Sequence, residues 1–341
     1  MKMVFDDCLQ SMFFLLSTIV LFFCSPTGAQ TSKLDKPVSP KTTLIQIRPD
    51  ITLEVLTWGE AGEPLVFLAG GGESAHSWTT FAPQFSNKYR VLAVSRRGFG
   101  ASSKPSFGYD LPTLGEDVRI LLDSLGLKQV NLVGFSLGGA ELSYLAVNYP
   151  EKITRLIYLD AGFDFRQVYD TPGFFDDWPD DPPISSADSS SLPAFASYWR
   201  RVSAVDFPES EFKANWQFNE AGRLVGRTSL ADSTFTGQVV SGMIILNLNR
   251  INRPVPSLYA ITSRVEQFFG AFQEMDKVNQ DKARRKLQLW QQIMTKQRNR
   301  FKSEVATAQV VEIHDSNHHI FLAQPEKVAS KMWRFLEKPV H

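Results

Sequence analysis

The feature that most constrains this chain is the stretch Gly-Phe-Ser-Leu-Gly at residues 134–138. It follows a short, apolar, β-branched run at residues 130–133, which is typical of a buried strand. It precedes a segment that predicts a helix ending before Pro150. A serine in a tight turn between a strand and a helix needs glycine neighbours, because the two elements approach closely there. Chance supplies such a pattern in roughly one chain in ten of this length, so the surrounding sequence must decide its meaning.

The composition is that of a globular protein. The 341 residues include 36 basic and 36 acidic side chains, which gives a formal net charge of zero. This balance provides no electrostatic attraction to nucleic acid or to a membrane surface, so neither is expected as a partner. The length is sufficient for a large buried core, in one large domain or two small ones. The 26 phenylalanines suit large apolar surfaces or a pocket wall.

The N-terminal segment differs from the rest. Residues 12–23 are almost entirely apolar, but this run is too short to span a bilayer comfortably. Small residues before Gln30 resemble a cleavage site. We therefore expect a signal peptide at residues 1–29, in preference to a retained anchor. Export to a periplasm or to the medium follows, with no membrane span in the mature chain.

Both cysteines, Cys8 and Cys24, lie within the predicted signal peptide. The mature chain would then contain no cysteine. Disulfide bonds and cysteine metal sites are excluded on that basis. Export without disulfides fits a bacterial periplasm or secretion better than a eukaryotic extracellular domain.

Strands and helices alternate beyond a polar arm predicted at residues 30–50. Residues 51–58 alternate apolar and polar side chains, as an antiparallel strand does. Residues 111–127 predict an amphipathic helix. Four short apolar runs are typical of strands buried on both faces: 65–68, 91–94, 130–133 and 156–159. This order predicts an α/β fold with a mostly parallel, doubly wound sheet that binds ligands at the carboxyl ends of its strands.

The alternation stops after residue 162. Residues 163–253 contain three tryptophans, many phenylalanines and an acidic loop rich in proline and serine, with no convincing strand. They predict a mostly helical insertion that lies over the strand ends as a cap. We expect the core at residues 51–162 and 254–341. The second part of the core includes a late strand and an amphipathic terminal helix at residues 325–337.

A serine hydroxyl is a poor nucleophile unless a base removes its proton and hydrogen-bond donors stabilise the oxyanion. Gly71 and its glycine neighbours follow a predicted strand directly, so their backbone N–H groups are candidates for the donors. A plain glycine-rich turn is the alternative, and the missing Lys-Ser/Thr signature argues against a nucleotide loop. His314, His318 and His319 follow the last predicted strand, where a base at the sheet edge would lie.

On these motifs the chain resembles the α/β-hydrolase superfamily, from about residue 52 to the C-terminus and least within the insertion. Residues 95–105 resemble the Asp-x-Arg-Gly-x-Gly-x-Ser stretch of that superfamily, with Ser95 in place of aspartate. Residues 69–78 resemble its His-Gly-x loop, with Ala69 in place of histidine. The resemblance implies an α/β-hydrolase fold with a helical cap insertion.

The resemblance also implies roles for single residues. Ser136 matches the nucleophile, and Leu137, directly after it, matches one oxyanion donor. Gly71 matches the second donor. Residues 317–328 resemble the Gly-His-x₆-Pro-Glu segment near the end of such chains, and His318 is the histidine in that register. His318 is therefore the expected base.

The acid of the triad is less direct to assign. Members of the superfamily usually carry it after the strand that follows the insertion, here residues 255–261, but no aspartate stands there. Some carry it at the end of the preceding strand, where this chain has Asp160, and an aspartate there can receive the histidine Nδ1–H. We expect Asp160 to be the acid, with Glu266 as the alternative and Asp164 behind it.

A serine nucleophile implies acyl transfer to water. Dehalogenases and epoxide hydrolases of the superfamily use an aspartate instead, so their chemistry is not implied. We expect a small-molecule substrate, partly apolar, with an ester or related acyl bond, and no metal or organic cofactor. A prolyl aminopeptidase-like peptidase and a C–C hydrolase share the motif and stay as alternatives. A ligand-binding protein on the same scaffold is the alternative of a different class.

Overall fold

The computed structural model describes residues 39–339, with the exception of residues 175 and 231 and of the side chains of residues 232 and 233. The predicted signal peptide, with both cysteines and its cleavage site, lies outside the described residues. Within this described part, no helix combines the length and the apolar character that crossing a membrane requires.

The described residues contain an eight-stranded mixed sheet and a separate hairpin. The strands are β1 (Lys41–Arg48), β2 (Ile51–Trp58), β3 (Glu63–Leu68), β4 (Tyr89–Ser95), β5 (Val130–Phe135), β6 (Ile153–Leu159), β7 (Trp216–Phe218), β8 (Leu224–Arg227), β9 (Val255–Ile261) and β10 (Ala308–His314). The large sheet has the order β1-β2-β4-β3-β5-β6-β9-β10. From β4 to β10 all neighbouring strands are parallel, while β1–β2 and β2–β4 are antiparallel.

Helices cover the sheet and form much of the cap. They are α1 (Leu111–Ser124), α2 (Leu137–Asn148), α3 (Phe165–Tyr169), α4 (Leu192–Ser203), α5 (Glu209–Asn215), α6 (Asp232–Ser241), α7 (Val265–Phe268), α8 (Lys277–Glu304), α9 (Ile320–Ala323) and α10 (Pro325–Leu336). The predicted amphipathic terminal helix is α10. Its inward residues Val328, Met332, Phe335 and Leu336 are buried against the sheet.

The predicted doubly wound α/β sheet is confirmed. The four apolar runs lie in β3, β4, β5 and β6, which are buried because helices pack on both faces. The chain passes from β3 outward to β4 and then back past β3 to β5, so the winding direction reverses beside β3. At such a reversal the loops after neighbouring strands separate and leave a crevice. The loops after β3 and β5 are the glycine loop and the Ser136 turn.

Two predicted boundaries differ from the structure. Residues 41–48, expected in the polar arm, form the edge strand β1, which pairs antiparallel with β2. The strand was obscured because an edge strand keeps polar side chains on its exposed face, while Ile45 and Ile47 pack on the core. The cap, expected to contain no strand, carries the hairpin β7–β8, whose turn is closed by Gly222 N–H donating to Asn219 at 2.8 Å.

The cap has an aromatic core of its own. The ring of Phe195 lies 4.9 Å from that of Trp216, 5.4 Å from that of Phe212 and 6.2 Å from that of Trp199. These contacts join α4, α5 and the hairpin into one unit. Two of the cap tryptophans therefore contribute to the packing of the cap itself.

Candidate active site

Ser136 occupies a strained turn between β5 and α2. Its φ of 48° lies in the left-handed region, which serine rarely adopts. A Cβ at Gly138 would lie 2.4 Å from the carbonyl oxygen of Leu68, and a Cβ at Gly134 would lie 2.6 Å from that of Gly138. Both positions therefore require glycine. The turn holds the half-buried Ser136 at the carboxyl edge of the sheet.

The glycine loop after β3 lies against the first residue of α2. A Cβ built on Gly71 would be 3.8 Å from Leu137 Cδ2, an ordinary contact distance. Leu137 begins α2, so its N–H belongs to the first turn, where N–H groups have no partner within the helix. The helix dipole adds partial positive charge at this end. The structure thus brings both predicted oxyanion donors to the neighbourhood of Ser136.

His318 and Asp160 are joined by a hydrogen bond. His318 Nδ1 lies 2.6 Å from Asp160 Oδ2. Asp160 directly follows β6, is 1% exposed and also has a positive φ, 47°. Its other oxygen, Oδ1, accepts from the backbone N–H of Ala260 at 3.0 Å, which fixes the carboxylate. With Nδ1–H donated to Asp160, His318 Nε2 is left to accept a proton.

Among the residues that the structure describes, no hydrogen bond joins Ser136 to His318. The ring of Phe135, the residue before Ser136, is 4.7 Å from the His318 ring, so His318 adjoins the Ser136 turn. Bonds between a nucleophile and its base are often long without substrate and shorten in the Michaelis complex. The missing bond therefore does not contradict the predicted pairing of Ser136 with His318.

The alternative acids do not contact His318. Glu266 lies in α7, where its Oε1 accepts from Gln273 Nε2 at 2.9 Å. Asp164 caps α3 and pairs with Arg300 at 3.0 Å. Asp160 is therefore the carboxylate that the structure brings to His318.

The other two C-terminal histidines make separate pairs. His314 lies 3.3 Å from Glu312 on the exposed side of β10. His319 Nε2 lies 2.8 Å from Glu73 Oε1, at the start of the loop that follows the glycines. The rings of His318 and His319 are 5.7 Å apart, so the second pair adjoins the first.

Comparison with known proteins agrees with this architecture. The sequence model of the family described as alpha/beta hydrolase fold matches residues 63–209. The solved structure of E-2-(acetamidomethylene)succinate hydrolase superimposes with a TM-score of 0.64 at 18% identity, over 88% of this chain and 100% of that one. The chain has the α/β-hydrolase fold. At such identity the likeness shows the fold alone.

The curated relatives match over shorter segments. The chain is 37% identical over 109 residues to 3-oxoadipate enol-lactonase 2 of Acinetobacter baylyi, which is 32% of this chain and 41% of that protein. It is 36% identical over 100 residues to the soluble epoxide hydrolase of a Corynebacterium species, 29% of this chain and 35% of that protein. The chain thus spans less than half the length of either relative.

Arg96 holds the glycine loop after β3 in this α/β-hydrolase fold. Its guanidinium donates to the carbonyl oxygens of Ala69 at 2.8 Å and Gly70 at 2.7 Å. The Gly70 carbonyl and the Gly71 N–H belong to one trans peptide, so they point in opposite directions. Because Arg96 binds the carbonyl oxygen of Gly70, the Gly71 N–H points away from Arg96. The sequence interpretation missed this residue, although it stands inside the Ser95 motif.

A buried carboxylate completes the Arg96 contact. Glu141 of α2 accepts from Arg96 Nε at 2.9 Å and from Nη2 at 2.8 Å, and both side chains are buried. The pair therefore ties the glycine loop to the helix that follows Ser136. A signal was present in the sequence, since Glu141 is the one charged residue in the twelve of α2.

Glu54 explains the departure at Ser95. Ser95 Oγ donates to Glu54 Oε2 at 2.7 Å and accepts from Ala75 N–H at 2.9 Å. Glu54 also accepts from Ala101 N–H at 3.1 Å and lies 3.1 Å from His76 Nε2. Burial acts to raise the pKa of Glu54, but the bonds to His76 and Ser95 hold that pKa below its usual value. A carboxylate from β2 thus supplies the charge that an aspartate at position 95 would carry.

No metal centre is evident in the part of the chain that the structure describes. No group of three or more histidine, cysteine, aspartate or glutamate side chains is arranged there to hold an ion.

Proposed function

We propose that the protein is a serine hydrolase that cleaves an ester or related acyl bond of a small, partly apolar substrate. Ser136 is the nucleophile, His318 the base and Asp160 the acid. The observation that carries this proposal is the 2.6 Å contact of His318 Nδ1 with the buried Asp160, next to the strained Ser136 turn. The similar proteins, which include a lactonase and a hydrolase, support hydrolysis.

The reaction follows from the geometry. His318 Nε2 takes the proton of Ser136 Oγ as Oγ attacks the carbonyl carbon, and Asp160 stabilises the imidazolium that forms. The N–H groups of Gly71 and Leu137 stabilise the oxyanion. His318 then protonates the leaving group, and water repeats the two steps on the acyl-enzyme.

Two alternatives share this machinery. A lactone is a cyclic ester, and the enol-lactonase similarity supports including lactones among the substrates. C–C cleavage is the second alternative, since 2-hydroxy-6-oxo-2,4-heptadienoate hydrolase of Pseudomonas putida is 29% identical over 168 residues, 47% of this chain and 59% of that protein. A prolyl aminopeptidase-like activity needs an aminoacyl amide and is tested in the same panel.

The proposal is tested with a fluorophosphonate probe and a substrate panel. The protein is expected to label on Ser136 and to hydrolyse members of a panel of esters, lactones and aminoacyl amides. Ser136→Ala should lose both label and turnover. A protein that neither labels nor hydrolyses any member would be a binding protein on this scaffold, and the proposal would be wrong.

We also propose that the protein is exported with cleavage of residues 1–29. The support is the apolar run at residues 12–23 with small residues before Gln30. Mass spectrometry of the protein recovered from the periplasm or medium should find a mature N-terminus near Gln30. Recovery of the intact N-terminus from the cytoplasm contradicts this proposal.

A further inference from the structure

A cavity of about 300 Å³ adjoins the glycine loop. Gly71 lines one side of it, and Glu73 and His319 continue the same wall. The cap supplies Trp199 and Trp216 on the other side. The cavity therefore begins at a proposed oxyanion donor, where the scissile carbonyl would lie, and extends beneath the aromatic part of the cap.

Glu73 presents an unused acceptor at this cavity. Its Oε1 is 2.8 Å from His319 Nε2, whereas its Oε2 is buried and has no hydrogen-bond partner among the described residues. The residue as a whole is 8% exposed. A buried carboxylate oxygen without a donor is costly, so such atoms are rare and usually have a functional reason. A ligand can supply the missing donor here, because Glu73 lines a cavity that can admit one.

A second unused polar atom belongs to Trp199, which lines the cavity from the cap. Its indole N–H is buried and also has no partner in the described part of the chain. Two residues of the lining thus each carry a buried polar atom without a protein partner, next to the aromatic rings of the cap. This is the usual composition of a small-molecule pocket, in which a few polar groups orient a ligand held by apolar walls.

The neighbouring carboxyl group of Glu211 is fully occupied. Its oxygens accept from Ser74 N–H at 3.0 Å and Asn215 Nδ2 at 2.7 Å, and its Oε2 lies 2.5 Å from Ser74 Oγ. Burial, and then the nearby charge of Glu73, raise the pKa of Glu211 to about 8. Glu211 is therefore mostly protonated at neutral pH and already bonded. Glu73 is the acceptor that a ligand can use.

The cation in the lining is also engaged. Arg227 lies over the ring of Trp216, with its guanidinium carbon 5.1 Å from the ring centroid, and donates to Ser229. Arg227 thus already has partners on the cap.

We propose that the cavity holds a part of the substrate that carries a hydrogen-bond donor, a hydroxyl or ammonium group, and that Glu73 selects it. The carboxylate of Glu73, which lines the cavity, accepts from this group, while the aromatic side chains cover the carbon chain that links the group to the scissile bond. This inference rests on the proposed function, since Ser136 must act next to Gly71. It adds a specificity-determining residue and a substrate class to it.

The test uses esters that differ in one terminal group. Methyl esters whose acyl chains end in methyl, hydroxyl or ammonium are compared at several chain lengths, with hydrolysis followed by acid release. Acetate esters of alcohols ending in methyl or hydroxyl test the other side of the bond. Wild-type protein is expected to prefer a hydroxyl or ammonium ester over its methyl counterpart by about tenfold or more in kcat/KM at the fitting length. The better of the two polar groups identifies the charge of the donor.

The variant Glu73→Gln is expected to reduce that preference by about tenfold, because an amide accepts more weakly than a carboxylate. The matched control Glu337→Gln changes an exposed glutamate paired with Lys88 and should leave the preference unchanged. Trp199→Phe keeps an aromatic side chain, although a smaller one, and removes the N–H. It should lower kcat/KM for hydroxyl esters, whose oxygen can accept that N–H, more than for ammonium esters. Thermal unfolding checks that each variant is folded.

Binding to Ser136→Ala separates this inference from the proposed function. Quenching of tryptophan fluorescence by the same esters reports occupancy without turnover. Ser136→Ala should bind the hydroxyl or ammonium ester more tightly than the methyl ester, and adding Glu73→Gln should abolish that difference. This result supports the inference even if no ester is hydrolysed. If esters with all three end groups are hydrolysed and bound equally well at every chain length, this inference is wrong. The serine hydrolase proposal is unaffected by that result.

Discussion

Two buried polar residues near the Ser136 turn and two in the lining of the cavity under the cap differ in how far their polar atoms are paired. At the sheet edge, Asp160 and Arg96 each use both sides of their polar groups on protein partners. In the cavity, Glu73 and Trp199 each keep a buried polar atom unpaired. Fully paired groups hold a fixed geometry, and unpaired ones wait for a ligand. The comparison separates a preorganised chemical site from an open recognition site.

The largest effect is expected at the acid. Asp160→Asn should lower kcat by about 10⁴-fold, because the amide no longer stabilises the imidazolium or the correct histidine tautomer. Glu266→Gln is the matched control and should change kcat little, since Glu266 contacts Gln273 rather than His318. Steady-state kinetics on one ester of the panel measures both. The reverse ranking would transfer the acid to Glu266.

The next effect tests whether the Arg96 pair positions the glycine loop or merely stabilises the fold. Arg96→Met leaves Glu141 buried and unpaired, which should cost about 3–5 kcal/mol in the free energy of unfolding. In Arg96→Met with Glu141→Leu, most of that stability should return, because two apolar side chains pack without a buried charge.

Activity should not return with stability in this double variant. The Gly70–Gly71 peptide has still lost its donors, so kcat should stay about 10- to 100-fold below wild type. Urea unfolding and kcat are measured on the same preparations. Wild-type kcat in the double variant would reduce Arg96 to a structural role.

A smaller effect concerns pH and the cavity. The pKa of Glu211, about 8 in the folded protein, exceeds its ordinary value, so the native state keeps a proton that the unfolded state releases. Stability should therefore fall as pH rises from about 5 to 8, with a contribution of at most about 1.4 kcal/mol per pH unit. Glu211→Gln should flatten that slope. Identical slopes in urea unfolding of the two proteins would mean that Glu211 does not titrate in this range.

The smallest effect is expected at an exposed ion pair, with which the buried Arg96 pair can be compared. Lys277 and Asp281 form an exposed i,i+4 pair at 2.7 Å on α8. Lys277→Ala should change the free energy of unfolding by no more than about 0.5 kcal/mol, because exposed pairs are screened by solvent. A loss as large as that of Arg96→Met would remove the distinction between buried and exposed pairs in this protein.

The sequence predicted the sheet edge better than the cavity, for a physical reason. Buried parallel strands are continuous apolar runs, so the residues that follow them, such as Ser136 and Asp160, can be assigned to one edge. The contact of Asp160 with His318 follows from that assignment, and the triad itself stays a prediction. By contrast, Glu73 meets His319 across 246 positions, and Ser74 meets Glu211 across 137. The first pair depends on where the loop after β10 lies, and the second depends on how the cap docks; no local pattern contains either.

Edge and loop elements were missed for a related reason. The strand β1 keeps a polar face, and its alternation is too weak to distinguish it from an arm. The role of Glu54 depends on its register opposite Ser95 in the β2–β4 pair, which becomes visible only once the two strands are aligned. A sequence motif cannot show that a residue on the neighbouring strand supplies the charge missing at one motif position.

The placement of Asp160 has a consequence for how the protein becomes competent. Ser136 and Asp160 belong to one strand–helix–strand unit, β5–α2–β6, in which Ser136 lies between β5 and α2 and Asp160 follows β6, whereas His318 joins Asp160 from 158 positions away. Closing so long a loop is slow relative to local pairing, so the proposed nucleophile and acid should assemble before the proposed base arrives. During refolding, the return of turnover should then lag behind the return of sheet signal, and its rate reports the docking of the C-terminal segment.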